Sequence, residues 1–476
     1  MVGRANASVS SLLRRSFVTR TSGTTFAFDR MDVPGVLLVS IVYPTPPCAS
    51  LLGDCEGSER AENLAFERVT YAVRILFGQV PDLKLSRHQK ESMQGLNVLI
   101  NCLPAVSGGA VSHLRNLLPP LCDCFLNSRL DHRLTFLAHK YQQGLVPSNV
   151  KANTLWLHGA RSLGVRRVLQ ERWLIPRLVK RERISAVFTP YQIGARVTDA
   201  RHVMMVQNME AFLFGSYRYT FENWLRNILL KRQSLRCLLR ADRVIAISGF
   251  VRDFLKRNVG LPDDRIRLIY HGRESGLTAH MDVMEDTQKL RGLGIDGEFI
   301  LTCGSLLPYR RCEDVIEAFG QLGKVRTSRL RLIVAGSGTD RRYARVIQRK
   351  IVSSPHPQRI LTLGQVPWEM MGALYRQCQM CVLATEIEAC PSIAIEAMAA
   401  GCAIIASDRP PLPEMFAGCC EHYPARDVGM LSGLMSRLLV DGARRSELRR
   451  LALERSKAFS WERCAEETYA ALTEWE

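Results

Sequence analysis

From Leu96 onward, short apolar runs alternate with stretches whose apolar residues recur at helical spacing. Residues 96–103 form the first run, apolar without alternation, as a strand buried on both faces reads. Ser107-Gly108-Gly109 then opens a helical stretch at 110–118. Further runs predict strands at 133–138, 184–188, 202–206 and 244–247, with helical patterns between them. That order predicts a doubly wound α/β domain with a parallel sheet.

The alternation restarts near Glu298. Strands are predicted at 299–303, 331–335, 360–363, 380–383, 403–406 and 421–423, and helices at 311–322 and 341–352. A linker is expected between about 270 and 297, where Gly, Thr, Asp and His are frequent. A last helical stretch starts at Trp461. The expected layout is an extension at 1–92, one domain at 93–272, a second at 273–460, and a C-terminal helix at 461–476 packing back on the first domain. A chain of 476 residues suits two or three domains.

Residues 1–92 do not follow the pattern. The first 28 hold Arg4, Arg14, Arg15 and Arg20, many Ser and Thr, and no acid. A transit peptide, a poorly ordered tail, or sequence upstream of a true start at Met93 would each read this way. No run of 18 apolar residues occurs, and the best stretch, 33–43, is broken by Pro34.

The formal net charge of +18 points to anionic partners without choosing among them. Fifteen cysteines are scattered, often inside apolar runs, as expected of reduced, buried thiols in a cytoplasmic-type compartment. Cys378 and Cys381 have CxxC spacing, but no second pair or nearby histidines complete a metal set.

The strongest chemical signal is EACPSIAIEAMAAG, Glu388 to Gly401. Two glutamates stand eight residues apart, the first in a loop after a predicted strand, the second in a helix that Pro391 can start. Free backbone N–H groups after Pro391 would attract phosphate. Carboxylates beside them can accept strong hydrogen bonds from sugar hydroxyls. Ser407 to Glu414 is a Pro-rich loop at the end of the next predicted strand, where α/β sheets bind ligands. A phosphate and two polyols in one site describe a nucleotide diphosphate sugar.

With these flanks the chain resembles the family 4 glycosyltransferases, retaining enzymes of the GT-B fold with a Glu-x7-Glu motif. GSLLPYRRCEDVIEAF, LRLIVAGSG, ADRVIAISGFVRDFL, IRLIYHG and LNVLINCLPAVSGGAVSHLRNLL carry the resemblance, which spans Leu96 to Trp475. It implies two Rossmann-like domains facing a cleft, the first for the acceptor and the second for the donor. Glu388 would touch the donor sugar and Glu396 the nucleotide ribose. Arg310 would grip the diphosphate, where the family has lysine; its fork preserves charge and alters geometry. Gly304, Ser305, Arg311, Gly336, Ser392 and Ile393 would line the donor site. Gly108 and Gly109 would let the backbone approach it. Gln207 and Asn208, near where many members have histidine, would lie on the acceptor side. Ser305 replaces an arginine common in the family, and Arg273 or Arg311 could compensate. His271 lies at the interdomain crossing.

The resemblance implies a nucleotide diphosphate sugar as co-substrate, with no cofactor. The chain contains no Asp-x-Asp, which agrees with metal-independent transfer to a glycan or lipid-linked acceptor. Residues 217–240 mix Tyr217, Phe221, Trp224, Leu225 and Ile228 with basic residues at helical spacing. That pattern suits packing on its own domain, or peripheral contact with an anionic membrane on the inner, cytoplasmic face. Two rivals stand beside this reading. Gly336-Ser337-Gly338 is a fragment of a nicotinamide-binding turn. The positive charge would suit a nucleic-acid-binding protein, although no basic run is interleaved with aromatics, so no nucleic-acid partner is expected.

Overall fold

The computed structural model describes residues 95–475, apart from 107, 148–152, 159–163, 218, 275–282, 324–329 and 339, together with three strands nearer the N-terminus. Two compact units emerge, Met1–Lys84 and Leu85–Glu476. In the first, β1 (Leu13–Thr21), β2 (Thr24–Met31) and β3 (Leu37–Val42) pair in antiparallel order. These three strands fall within the expected extension at 1–92. The rest of residues 1–92, with the candidate start Met93, lies outside the described residues, as does Ser107.

The second unit holds two parallel sheets. The first has seven strands in the order β10-β9-β8-β7-β4-β5-β6. In chain order its elements are β4 (Asn97–Asn101), α1 (Gly109–Leu126), β5 (Arg133–His139), β6 (Asn153–Leu157), α2 (Gly164–Arg181), β7 (Ala186–Thr189), β8 (Arg201–Val206), α3 (Phe221–Arg240), β9 (Arg243–Ala246), α4 (Gly249–Phe254) and β10 (Ile266–Leu268). Val98, Leu99 and Ile100 of β4 are all buried, which is why that run lacks alternation. β6 and β10 are strands the hydrophobic pattern did not predict. β6 pairs only with β5 and is half-buried, so its sequence carries no continuous apolar run. Helix α1 runs eight residues past its predicted end, through Pro119 and Pro120, because Leu117, Leu118, Leu121 and Phe125 on its buried face outweigh the prolines.

The second sheet has the order β13-β12-β11-β14-β15-β16. Its chain order is α5 (Val283–Gly292), β11 (Phe299–Cys303), α6 (Cys312–Gly320), β12 (Arg331–Ala335), α7 (Arg341–Val352), β13 (Ile360–Gly364), α8 (Trp368–Gln377), β14 (Met380–Leu383), α9 (Ser392–Ala399), β15 (Ile404–Ser407), α10 (Leu412–Phe416), β16 (Glu421–Tyr423), α11 (Val428–Val440) and α12 (Gly442–Ser456). Helix α5 falls inside the expected linker. Its Asp286 is buried against Arg376 of α8 in a bidentate pair of 2.6 and 2.7 Å, a contact from 90 residues away that the local pattern does not show.

Two segments join the sheets. The return crossing ends in α13 (Trp461–Thr473), which packs on α1, with Tyr469 edge-on to Phe125 at 4.9 Å. The crossings press together: a Cβ on Gly272 would lie 2.2 Å from the backbone nitrogen of Trp461, and the Arg273 amide donates to Phe459 at 3.2 Å. Glu414 of α10 spans the same junction. Its carboxylate accepts from the amides of Gly249 (2.6 Å) and Phe250 (3.0 Å), at the start of α4, and from the Tyr270 hydroxyl.

Where β11 and β12 end, the backbones nearly touch. Gly336 has φ +151°, and a Cβ there would sit 1.8 Å from the Gly304 carbonyl oxygen. Gly336→Ala is therefore expected to cost about 2–4 kcal/mol of stability. Urea unfolding monitored by far-UV circular dichroism measures it; a loss below about 1 kcal/mol would show that the two strand ends can separate freely.

Candidate functional site

The site lies at the carboxyl ends of β11, β12 and β14. β11 ends at Cys303 and the chain turns at Gly304, which has φ +120°. A Cβ on Gly304 would stand 3.4 Å from Ile393 and 3.6 Å from a terminal nitrogen of Arg310. Arg310 closes the single turn Pro308–Arg310, and its guanidinium pairs with the Glu388 carboxylate from the loop after β14. Glu388 is 7% exposed. Burial pushes its carboxyl above the usual range, against the pull of Arg310 and a hydrogen bond with Thr385. The Arg310 Nε is buried without a partner. The pair thus keeps unused donor capacity beside an open glycine turn.

Helix α9 starts at Ser392, directly after Pro391, and no side chain caps it. Its first amides have no intrahelical acceptor and carry the positive end of the helix dipole. Glu396, one turn on, accepts from Tyr375 at 3.2 Å and is hydrogen-bonded with Ser392. Tyr375 also meets the Cys303 thiol at 3.4 Å, linking Glu396 to the end of β11. Gly304, Arg310, Gly336, Glu388, Ser392, Ile393 and Glu396 are therefore contiguous, and Ser305 is exposed beside them.

Arg311 is not part of that surface. It adopts φ +51°, and its three guanidinium nitrogens go to Asp314 (2.9 and 2.6 Å) and Glu313 (2.8 Å). Helix α6 begins only at Cys312, so Arg311 serves its first turn and is not free to replace the cation missing at Ser305. Arg273 sits at the crossing: its amide donates to Phe459, and its guanidinium makes one 3.4 Å contact with the Ser456 hydroxyl. His271 is buried between His113 (4.6 Å between ring centroids) and Trp461 (5.7 Å), and burial holds it neutral, pulled down to about 4. It is a junction residue.

Gly108 has φ +59°, and a Cβ at Gly108 or Gly109 would meet nothing within 4 Å, so the start of α1 faces open space. One and two turns on, Ser112 (2.9 Å) and Asn116 (3.0 Å) donate to Glu274, whose charge Glu396 feels. Tyr375 and Glu274 escaped the reading of the sequence, because neither lies within a recognisable spacing of the glutamate pair. Asn208 caps its own turn, accepting from the Glu210 amide at 2.7 Å, while the Gln207 side chain has only a 3.4 Å contact with the Met205 sulfur. The Gly336–Gly338 turn is filled by its neighbour: Ser337 accepts from the Leu306 amide at 3.0 Å, and a Cβ on Gly338 would lie 2.1 Å from the Leu306 carbonyl. These glycines serve packing between adjacent loops, which removes the motive for a nicotinamide site there.

Residues 107–275 match the family model described as Glycosyltransferase Family 4, and residues 285–454 match that of Glycosyl transferases group 1. The chain belongs to this glycosyltransferase family. It is 25% identical over 228 residues to the serotype-specific mannosyltransferase WbdA of Escherichia coli; the match covers 47% of this chain and 27% of that relative. The chain thus matches about a quarter of the length of that relative. Sucrose-phosphate synthase from Thermosynechococcus elongatus has a similar fold, with a TM-score of 0.61 at 18% identity over 78% of this chain and 97% of that one. So has HepE of Anabaena, solved in complex with UDP-glucose, with a TM-score of 0.60 at 14% identity over 79% of this chain and all (100%) of that one. The fold of this glycosyltransferase family member is GT-B, two parallel-sheet α/β domains.

Glu396 titrates at about 7, held up by burial first and then by Glu274, against the hydrogen bonds of Tyr375 and Ser392. A glutamate in the unfolded chain titrates near about 4.3. The fold therefore keeps a proton that the unfolded chain releases. Its stability falls as pH rises between these values, and the full loss is present above them. Glu396→Gln, which needs no ionisation, is expected to raise the melting temperature more at about pH 8 than at about pH 5. Equal shifts at both would show that the folded carboxyl ionises normally.

Proposed function

We propose that this chain transfers a sugar, with retention of anomeric configuration and without a metal ion, from a nucleotide diphosphate sugar to a hydroxyl of a glycan or lipid-linked acceptor. The observation that carries the reading is the Arg310–Glu388 pair, set against Gly304 and the uncapped start of α9. Arg310 and the first amides of α9 face the diphosphate. Glu388 accepts from the sugar hydroxyls and Glu396 from the ribose. Gly108 and Gly109 admit the nucleotide closely from the other domain. As the glycosidic bond to the diphosphate breaks, the sugar takes on oxocarbenium character and negative charge grows on the leaving phosphate. Arg310 and the α9 amides stabilise that charge without reorganising. The acceptor hydroxyl, held near Gln207 and Asn208, attacks from the same face and passes its proton to the departing phosphate. The nucleotide sugar acts as co-substrate, and no separate cofactor takes part. With Arg311 engaged by Asp314 and Glu313, Arg310 carries the side-chain cation role at the diphosphate.

The mannosyltransferase name of that relative makes mannose the first donor sugar to try, and a place in polysaccharide biosynthesis is part of the same proposal. Wild type, Glu388→Ala and Arg310→Lys are to be titrated with GDP-mannose, UDP-glucose and other nucleotide sugars, with release of the nucleoside diphosphate measured. One donor should bind, and turnover should drop about a hundredfold or more in each variant. If no donor binds and the variants match wild type, or if only NADH raises the melting temperature, the reading is wrong.

The same proposal places the protein peripherally on the inner, cytoplasmic face of a membrane, in contact with lipid and not with nucleic acid. No helix of the described residues is long and apolar enough to cross a bilayer. Helix α3 supports surface contact. Phe221 is 72% exposed, and Trp224, Leu225 and Leu229 are exposed beside it, followed by exposed Lys231, Arg232 and Arg236. Tyr217 is not part of that face, since its hydroxyl donates to Glu386 at 3.1 Å. Neighbouring α2 exposes Leu169 and Trp173, with the Arg177 guanidinium 4.5 Å over the tryptophan ring. The protein is expected to sediment with vesicles containing anionic phosphatidylglycerol and not with phosphatidylcholine alone. A Phe221→Ser, Trp224→Ser, Leu225→Ser variant should lose this; unchanged sedimentation would exclude α3.

A further inference from the structure

Just past the carboxyl ends of β8, β7 and β4, which are adjacent in the sheet, lies a second polar cluster that the donor site does not use. Asn101 ends β4 and donates from its side-chain amide to Glu171 of α2 at 3.3 Å. Arg167, one turn earlier on α2, approaches the same carboxylate oxygen at 3.8 Å. The guanidinium carbon of Arg167 stands 5.5 Å from the centre of the Tyr191 ring, two residues beyond β7. The Tyr191 hydroxyl meets the side chain of Asn208, two residues beyond β8. On the far side, Glu210 pairs with Arg226 at 3.6 Å and accepts from Asn227 at 3.4 Å. The charge of Glu210 is felt by Tyr309, the neighbour of Arg310, so the cluster borders the donor site.

Its hydrogen bonding is incomplete. Glu171 is fully buried, yet its second carboxylate oxygen accepts no hydrogen bond, and the buried Arg167 Nε, 3.8 Å from the first oxygen, donates none. A buried carboxylate held by one amide and one distant guanidinium is an unstable arrangement in an isolated fold. It is reasonable where a ligand supplies the remaining partners. Two carboxylates, Glu171 and Glu210, balance two guanidiniums, Arg167 and Arg226, so the cluster has no net charge to recommend it to phosphate. It offers donors, acceptors and one aromatic face, which suits an uncharged, hydroxyl-rich ring.

We infer that this cluster is the subsite for the terminal sugar of the acceptor, which is a neutral pyranose, with Arg167 and Tyr191 touching the ring and Glu171 acting as a positioning residue that aims Arg167. The inference rests on the transferase reading above. Saturation-transfer NMR and calorimetry with methyl α-D-mannopyranoside, methyl α-D-glucopyranoside, methyl α-D-galactopyranoside and the mannoside 6-phosphate test it. UDP and GDP are titrated separately to report on the donor site. At least one neutral glycoside should bind, and more tightly than the phosphate. Arg167→Lys and Tyr191→Ala should each weaken it about tenfold while nucleotide affinity stays unchanged. Tyr191→Phe, which keeps the ring, should retain most of the affinity. Glu171→Gln should weaken glycoside binding and spare nucleotide binding; a purely structural role would lower both affinities together with the melting temperature. The subsite is wrong if a nucleotide binds but no neutral glycoside does, if the phosphate binds more tightly, or if the variants bind as wild type. If neither nucleotide binds, the transferase reading itself fails.

Discussion

The candidate site of this protein depends on one guanidinium and one carboxylate sharing a nearly dry place at the ends of parallel strands. Taking either charge from water alone costs several kcal/mol, so neither Arg310 nor Glu388 is stable there without the other. Their approach requires that nothing stand at Gly304, that Gly336 let β12 end against β11, and that Thr385 hold the loop after β14. The backbone details nearby serve to keep this pair together and open to one side.

One apolar cluster runs through both sheets, taking in Val98, Leu114 and Val244 of the first domain with Leu301, Ile333 and Trp461, and polar contacts add to it. Glu414 closes the start of α4, Glu274 ties a crossing segment to α1, and Tyr217 reaches Glu386, which Arg426 of the second sheet's own domain also holds. Each bridges positions more than 35 residues apart. Glu386 lies two residues before Glu388, so contact between the domains and placement of the Glu388 carboxylate share one loop.

Much of this was legible in the chain. Buried parallel strands appear as unbroken apolar runs because both faces are covered, and most of those predicted stand within two residues of their places. β6 and β10 escaped because edge strands need only half a covering. Helix α5 escaped because its stabilising partner, Arg376, is remote. The glutamate pair was readable because strand, proline and helix are consecutive. Arg311 was misjudged because φ +51° turns it from its neighbour, and no local signal marks a left-handed arginine.

By itself, the sequence determined two α/β domains, their order, and the short segment that places Glu388 and Glu396 around a helix start. These follow from local periodicity and from residues adjacent in the chain. Only the tertiary structure decided that Arg310 meets Glu388, that Arg311 and Arg273 do not join it, and that Glu274 faces Glu396. It also decided that Arg167, Glu171 and Tyr191 converge beside Asn208. Those outcomes are set by which strand ends lie side by side, and strand order in a sheet is a long-range property that no spacing along the chain encodes.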